Sequence, residues 1–179
     1  MSIVPIARLG QPVLLTKAAA VADVQAAAVR TLLADLHDTL ADSGGLGLAA
    51  PQISVSLRVI LALPIADRGE REGKAPLALI NPELAPLSEE MEGGFEGCLS
   101  IPGLRGWVPR HRAVRYRALD RDGRPIAGEA HGLFARILQH ELDHLDGILF
   151  PMRMTDLRRL AFVDELPHLS AWMAQEEAR

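Results

Sequence analysis

A mixed α+β domain, a largely antiparallel sheet packed around one metal-binding helix, is what this 179-residue sequence predicts. Three observations carry that reading. Residues 26–42 and 133–145 place apolar side chains at helical spacing. Between them lie short apolar or alternating runs bounded by turn residues, the pattern of strands. Within the second helix, Gln139-His140-Glu141-Leu142-Asp143-His144 sets two histidines at i and i+4, so both imidazoles leave one face about one turn apart.

Taken in order, the first helix carries Val29, Leu32, Leu33, Leu36 and Leu40, with Asp23 as the expected N-cap and Gly44-Gly45 as its stop. Its stripe reads as ordinary core. Residues 58–64, with Val59, Ile60, Leu61 and Leu63, form a buried strand; 67–75, with Gly69 and Gly73, a polar loop; 77–81 a second strand. In 113–119, Val114, Tyr116 and Ala118 alternate with Arg115, Arg117 and Leu119, and Asp122-Gly123 turns the chain into 125–130, a half-exposed antiparallel pair. The second helix ends at Gly147. Beyond Phe150 the expectation is an irregular segment followed by helical turns. No repeat, low-complexity tract or charge block marks a boundary, so residues 1–179 read as a single catalytic domain.

Composition narrows the function. Hydrophobic residues make up 49% of the chain, enough for a real core, and the net charge is −4 with a pI near 5.9. No basic block is present, so direct nucleic-acid binding is not expected. Charges, glycines and prolines break every apolar run before the roughly 20 residues that a membrane span needs. Pro5, Arg8 and Gly10 interrupt any secretory pattern at the start, and no transit-peptide composition precedes the domain, which points to the cytoplasm. A lone cysteine, Cys98, excludes an intramolecular disulfide and is consistent with a reducing compartment.

The histidine pair is a two-toothed metal clamp, and Glu141 stands close enough to act on a water at the metal without ligating it. Two surface histidines on a charged helix would show the same spacing, so the third ligand decides the matter. The longer pattern H-E-x-x-H-x-x-G-x-x-H holds as far as Gly147 and then meets Phe150, which cannot ligate. Asp164 or Glu165 could supply an acidic ligand from a following helix. Cys98, in Glu96-Gly97-Cys98-Leu99-Ser100, could supply a thiolate, with Gly93-Gly94 and Gly97 read as glycine-rich turns that let a ligand approach backbone. In Gly45-Leu46-Gly47-Leu48-Ala49-Ala50-Pro51-Gln52, no lysine is present to make a phosphate loop. Small residues followed by a carboxamide suit a wall for peptide backbone, with Gln52 donating to a developing oxyanion.

Together, the runs 45–52, 96–100 and 139–144 resemble, in that order, the three signature motifs of the peptide deformylase family. Residues 6–14 and 147–150 are similar to flanking family segments, and 102–110 looks like the branch that includes mitochondrial and plant enzymes as well as bacterial ones. The resemblance implies removal of the formyl group from N-terminal formylmethionine of nascent polypeptides, with release of formate. It implies Cys98, His140 and His144 as ligands of one divalent ion, Fe²⁺ natively, with Zn²⁺, Ni²⁺ or Co²⁺ able to occupy the site. Glu141 becomes the general base and acid, and Gln52 with the backbone N–H of Leu99 the oxyanion donors. Substrate backbone is expected along Leu46, Gly47 and Gly97 as an added strand. Arg105 is a candidate for a substrate carbonyl, and Arg110 for pairing with Glu96. Helical geometry separately puts Leu133 and Ile137 on the ligand face, where they would line a methionine slot.

The chain departs from the family at Gly44, where many members are acidic, and at Phe95, where others often have glutamate. Its C-terminal tail carries Asp164, Glu165, Glu176 and Glu177, unlike the basic helix with which some bacterial members dock on the ribosome. The expected setting is the bacterial cytoplasm, with transient ribosome contact at most and no membrane. An HExxH-type metallopeptidase acting on unformylated peptides is the alternative.

Overall fold

The helical periodicity of residues 26–42 becomes α1, Ala27–Ser43, with Val29, Leu32, Leu36 and Leu40 buried. The computed structural model describes residues 2–65 and 75–178, so the polar loop expected at 67–75 lies outside the described residues except for Ala75. Asp23 is not the N-cap of α1. Its Oδ1 accepts from the Gln25 N–H at 2.9 Å, an Asx turn that uses up the side chain before the helix begins, and Ala26 occupies the cap position. Gly44 closes α1 at φ 66°, a left-handed conformation that glycine adopts without strain.

Five antiparallel strands form the larger sheet, in the order β1 (Gly47–Ala49), β2 (Val59–Ala62), β3 (Leu77–Pro86), β6 (Ala113–Leu119), β7 (Pro125–His131). Strand β2, inside the sheet and covered on both faces, has a continuous apolar sequence for that reason: Val59 and Leu61 pack under α1, while Ile60 and Ala62 face the opposite core. β3 runs five residues past the expected end. An Asn-Pro pair generally favours a turn, but the strand absorbs Asn81-Pro82 as a register shift between Ile80 and Glu83. Asn81 takes φ 53° there and holds both backbone groups of Val21 with its amide. The expected β6–β7 hairpin forms, with Gly123 at φ 78° in its turn.

The smaller sheet, β4 (Met91–Cys98), β5 (Ile101–His111) and β8 (Leu160–Phe162), is the part that the sequence reading missed. Gly93-Gly94 and Gly97 are strand residues, not turns. Side chains lying flat across the ribbon take the places their own would fill: a Cβ on Gly93 would collide with the Trp107 indole, and one on Gly97 with the Arg105 guanidinium. Local glycine and proline content signals loop, whereas contacts from distant residues make these positions strand.

Helix α2, Gly132–Leu145, lies between the two sheets. Leu138 and Leu145 enter the core of the large sheet with Ile60, Leu79 and Val114. A third cluster joins Leu14, Cys98, Ile101, Val108, Leu149 and Phe150, fastening the β4–β5 hairpin to the segment after α2. The C-terminal region is more regular than expected, adding β8 and then α3, Leu166–Glu177. Among the described residues no helix is long and apolar enough to cross a membrane.

Candidate metal centre and its pocket

Because α2 packs along both sheets, its buried face carries His140, Glu141 and His144 into the interior, at 9%, 4% and 1% exposure. The end of β4 delivers Cys98 to the same point. Its Sγ lies 3.2 Å from His144 Nε2, and the candidate ligand atoms of Cys98, His140 and His144 all fall within 4.8 Å of one another. Among the described residues this is the one such group, and Asp164 and Glu165 are not in it. They sit in a 3₁₀ turn, Val163–Glu165, before α3, and both are exposed.

The surroundings shift the two imidazoles in opposite directions. Burial on its own lowers the His140 pKa, but hydrogen bonds to Cys98 and Glu96 outweigh it and hold the ring up to about 10. Burial, reinforced by the charges of His140 and Arg110, keeps His144 well below its ordinary value, hence neutral and able to ligate. His140 Nδ1 is fixed by Glu96 Oε2 at 2.9 Å, the outer-shell bond that orients a ligating imidazole. Glu141 Oε2 and His144 Nδ1 are buried without a hydrogen-bond partner among the described residues. Buried polar atoms are rarely orphaned. A thiolate and two imidazoles beside such orphans therefore fit one borderline-soft divalent cation.

Glu96 gathers the support. It accepts from Arg110 Nε at 2.9 Å and Nη2 at 3.0 Å, and from Arg136 Nη1 at 2.9 Å, while Arg110 passes on to Asp143, which also takes Arg153. Burial raises the Glu96 carboxyl, yet hydrogen bonds from His140 and Arg110 overcome it and leave the group at about 2. The expected Arg110–Glu96 pair is present. The sequence reading did not find the link from Glu96 to His140, nor Arg136 and Asp143. An arginine or aspartate on a ligand-bearing helix face was the available signal.

Gln52 is 2% exposed, in the 3₁₀ turn Ala50–Ile53 that follows β1. The Ala49 N–H holds its Oε1 at 2.8 Å, so its Nε2 is directed at Ser100 Oγ, 3.3 Å away, and Cys98 Sγ, 3.6 Å away. Glu141 is pushed up to about 7, by burial against the opposing charge of His140. Its carboxylate lies against Gly47, where a Cβ would come within 2.5 Å of Oε1, so a larger residue would displace the carboxylate.

These groups floor a cavity of about 520 Å³. One wall is the edge strand β1, with Gly47 and, just before it, Leu46; the other is the edge strand β4, with Phe95, Gly97 and, just beyond it, Leu99. Leu133 and Ile137 line it from α2, and Arg105 reaches it from β5 while lying over Gly97. Phe95 packs edge-on against Trp107 at 5.0 Å. Leu46 gives its carbonyl to Leu63 at 2.8 Å, so by strand alternation Gly47 faces its backbone groups toward the open edge.

A family model described as Polypeptide deformylase matches residues 3–160. The chain is 46% identical over 164 residues to peptide deformylase 1 of Nitrosomonas europaea, covering 90% of this chain and 93% of that protein. Among solved structures it is similar to a ligand-bound class I type b peptide deformylase from Acinetobacter baumannii. That match has a TM-score of 0.80 and 35% identity over 86% of this chain and all of the other. The Met-Ala-Ser-bound form of that enzyme matches with a TM-score of 0.79 at 36% identity, over 86% of this chain and 100% of the other.

Proposed function

The chain belongs to the polypeptide deformylase family, and on that premise we propose the roles its residues take in this hydrolase's reaction, removal of the N-formyl group from formylmethionine at the start of nascent polypeptides. The observation that carries these assignments is the approach of Cys98, His140 and His144 to within 4.8 Å, with Cys98 and His140 on the floor of a cavity between two sheet edges. The whole chain acts as one catalytic domain.

The enzyme uses one divalent metal ion, with Cys98 Sγ and the imidazoles of His140 and His144 as its ligands. When bound, the ion supplies Lewis acidity that polarises the formyl carbonyl and acidifies water. Fe²⁺ is the native ion, and Zn²⁺, Ni²⁺ or Co²⁺ also suit this donor set. Glu141, near neutrality in its buried position, takes a proton from the attacking water and returns one to the amine nitrogen as the C–N bond breaks, leaving formate and a free amino terminus. The Gln52 amide, pinned by Ala49, and the Leu99 N–H donate to the oxygen that gains charge. A peptide enters as an added strand between β1 and β4, along Gly47 and Gly97, with its first side chain against Leu133 and Ile137. Arg105 contacts a carbonyl further along the peptide. Such substrates place the enzyme in the bacterial cytoplasm, meeting nascent chains transiently at the ribosome.

Formate release from formyl-Met-Ala-Ser, with anaerobic metal analysis of the same preparation, tests the assignment. The expected result is one equivalent of metal, formate from the formylated peptide and no cleavage of Met-Ala-Ser. Hydrolysis of the unformylated peptide would favour the metallopeptidase alternative.

A further inference from the structure

Arg136 is an arginine inside the catalytic cavity whose donors are turned away from it. It stands on α2 one turn before His140, with its side chain 13% exposed. Its Nη1 donates to Glu96 Oε1 at 2.9 Å, to the Val108 carbonyl at 2.8 Å and, more weakly, to the Gly94 carbonyl at 3.4 Å; its Nη2 donates to the Glu92 carbonyl at 2.6 Å. One guanidinium thus spans both strands of the β4–β5 hairpin and the carboxylate that orients His140. Gly94 makes room for it: a Cβ there would lie 2.9 Å from Nη2 and 3.0 Å from Cζ.

The two parts of the metal centre come from different elements, which Glu96–His140, Arg110–Asp143 and Gln139–His111 also join. Cys98 ends β4, whereas His140 and His144 belong to α2. We infer that Arg136 is a positioning residue that clamps the β4–β5 hairpin to α2 and so sets the distance between the Cys98 thiolate and the histidine pair. A planar fork with several donors fixes orientation as well as distance, and a lysine cannot reproduce that. The inference rests on the assignment of Cys98, His140 and His144 as ligands.

The test is Co²⁺ binding to the metal-free full chain for wild type, Arg136→Met, Arg136→Lys and Gly94→Ala. Chelator competition reads affinity, and the thiolate-to-cobalt charge-transfer band reads geometry. Thermal unfolding of each metal-free protein is followed in parallel. Gly94→Ala keeps the arginine but displaces it, and it decides the matter if Arg136→Met fails to fold. Loss of an outer-shell support weakens metal binding by about 10–100-fold, so Arg136→Met and Gly94→Ala should show that loss with a shifted band. Arg136→Lys, which keeps the charge beside Glu96 but not the carbonyl bridges, should recover only part of it. Wild-type affinity and band in the variants, even with lower melting temperatures, would reduce Arg136 to a structural brace. Wild-type protein binding Co²⁺ without a thiolate band would instead overturn the ligand assignment.

Discussion

Replacing Glu96 with glutamine keeps the shape of the side chain and removes its charge. The carboxylate is 5% exposed and takes four hydrogen bonds, two from Arg110 and one each from Arg136 and His140. A glutamine has one accepting oxygen and must turn its NH₂ toward a cation or a ring nitrogen. Its displacement from the ordinary 4.5 to about 2 corresponds to about 3 kcal/mol of stabilisation. Breaking a buried ion pair by removing one partner gives a similar figure, about 3–5 kcal/mol. A depressed carboxylate stabilises the folded state above its unfolded pKa and loses that effect as protons bind. The contribution should therefore be complete above about pH 4.5 and fade as pH falls toward 2. Urea unfolding of metal-free wild type and Glu96→Gln should differ by about 3 kcal/mol at pH 7 and converge in acid. A gap below about 1 kcal/mol at pH 7, or one of the same size at pH 7 and pH 2.5, would refute the account of Glu96 as the charged hub. Metal affinity should also fall about 10–100-fold, since His140 loses the partner that orients it.

Glu141→Ala should keep the metal and lose deformylation by about 10²–10⁴-fold; formate release near the wild-type rate would remove the assigned base. Cys98→Ser should weaken metal binding or change metal preference, read by metal content after gel filtration, with unchanged content and activity counting against a ligating thiolate. Gly47→Ala places a Cβ against the Glu141 carboxylate and on the substrate edge, so kcat/KM for formyl-Met-Ala-Ser should fall while the metal content stays at one equivalent. Metal affinity in the wild type should rise with pH up to about 10, because a ligating His140 must lose the proton that Glu96 and Cys98 help it hold; a flat profile between pH 6 and 9 would contradict this.

Short-range periodicity made part of the molecule readable. The spacing of Leu32, Leu36 and Leu40, the alternation from Val114 to Ala118 and the i, i+4 histidines each depend on a repeat within one element, and all three appear in the fold. The β4–β5 hairpin was not readable in this way. Its glycines are occupied by Trp107, Arg136 and Arg105, residues that no local window associates with them. Asp23 failed as a cap for a related reason: an aspartate before a helix can bond one turn early, and composition does not distinguish the two.

By itself, the sequence determined that a helix would present His140 and His144 on one face with Glu141 beside the first of them, because at 3.6 residues per turn positions i and i+4 come round to the same side. It also supplied a thiolate and a carboxamide in separate motifs. Tertiary structure alone decided that Cys98 lies 3.2 Å from His144, that Glu96 rather than solvent holds His140, and that two sheet edges face each other across the pocket. Those facts join residues more than forty positions apart. Their distances are set by how α2 packs between the two sheets, a balance of buried contacts that no single segment contains.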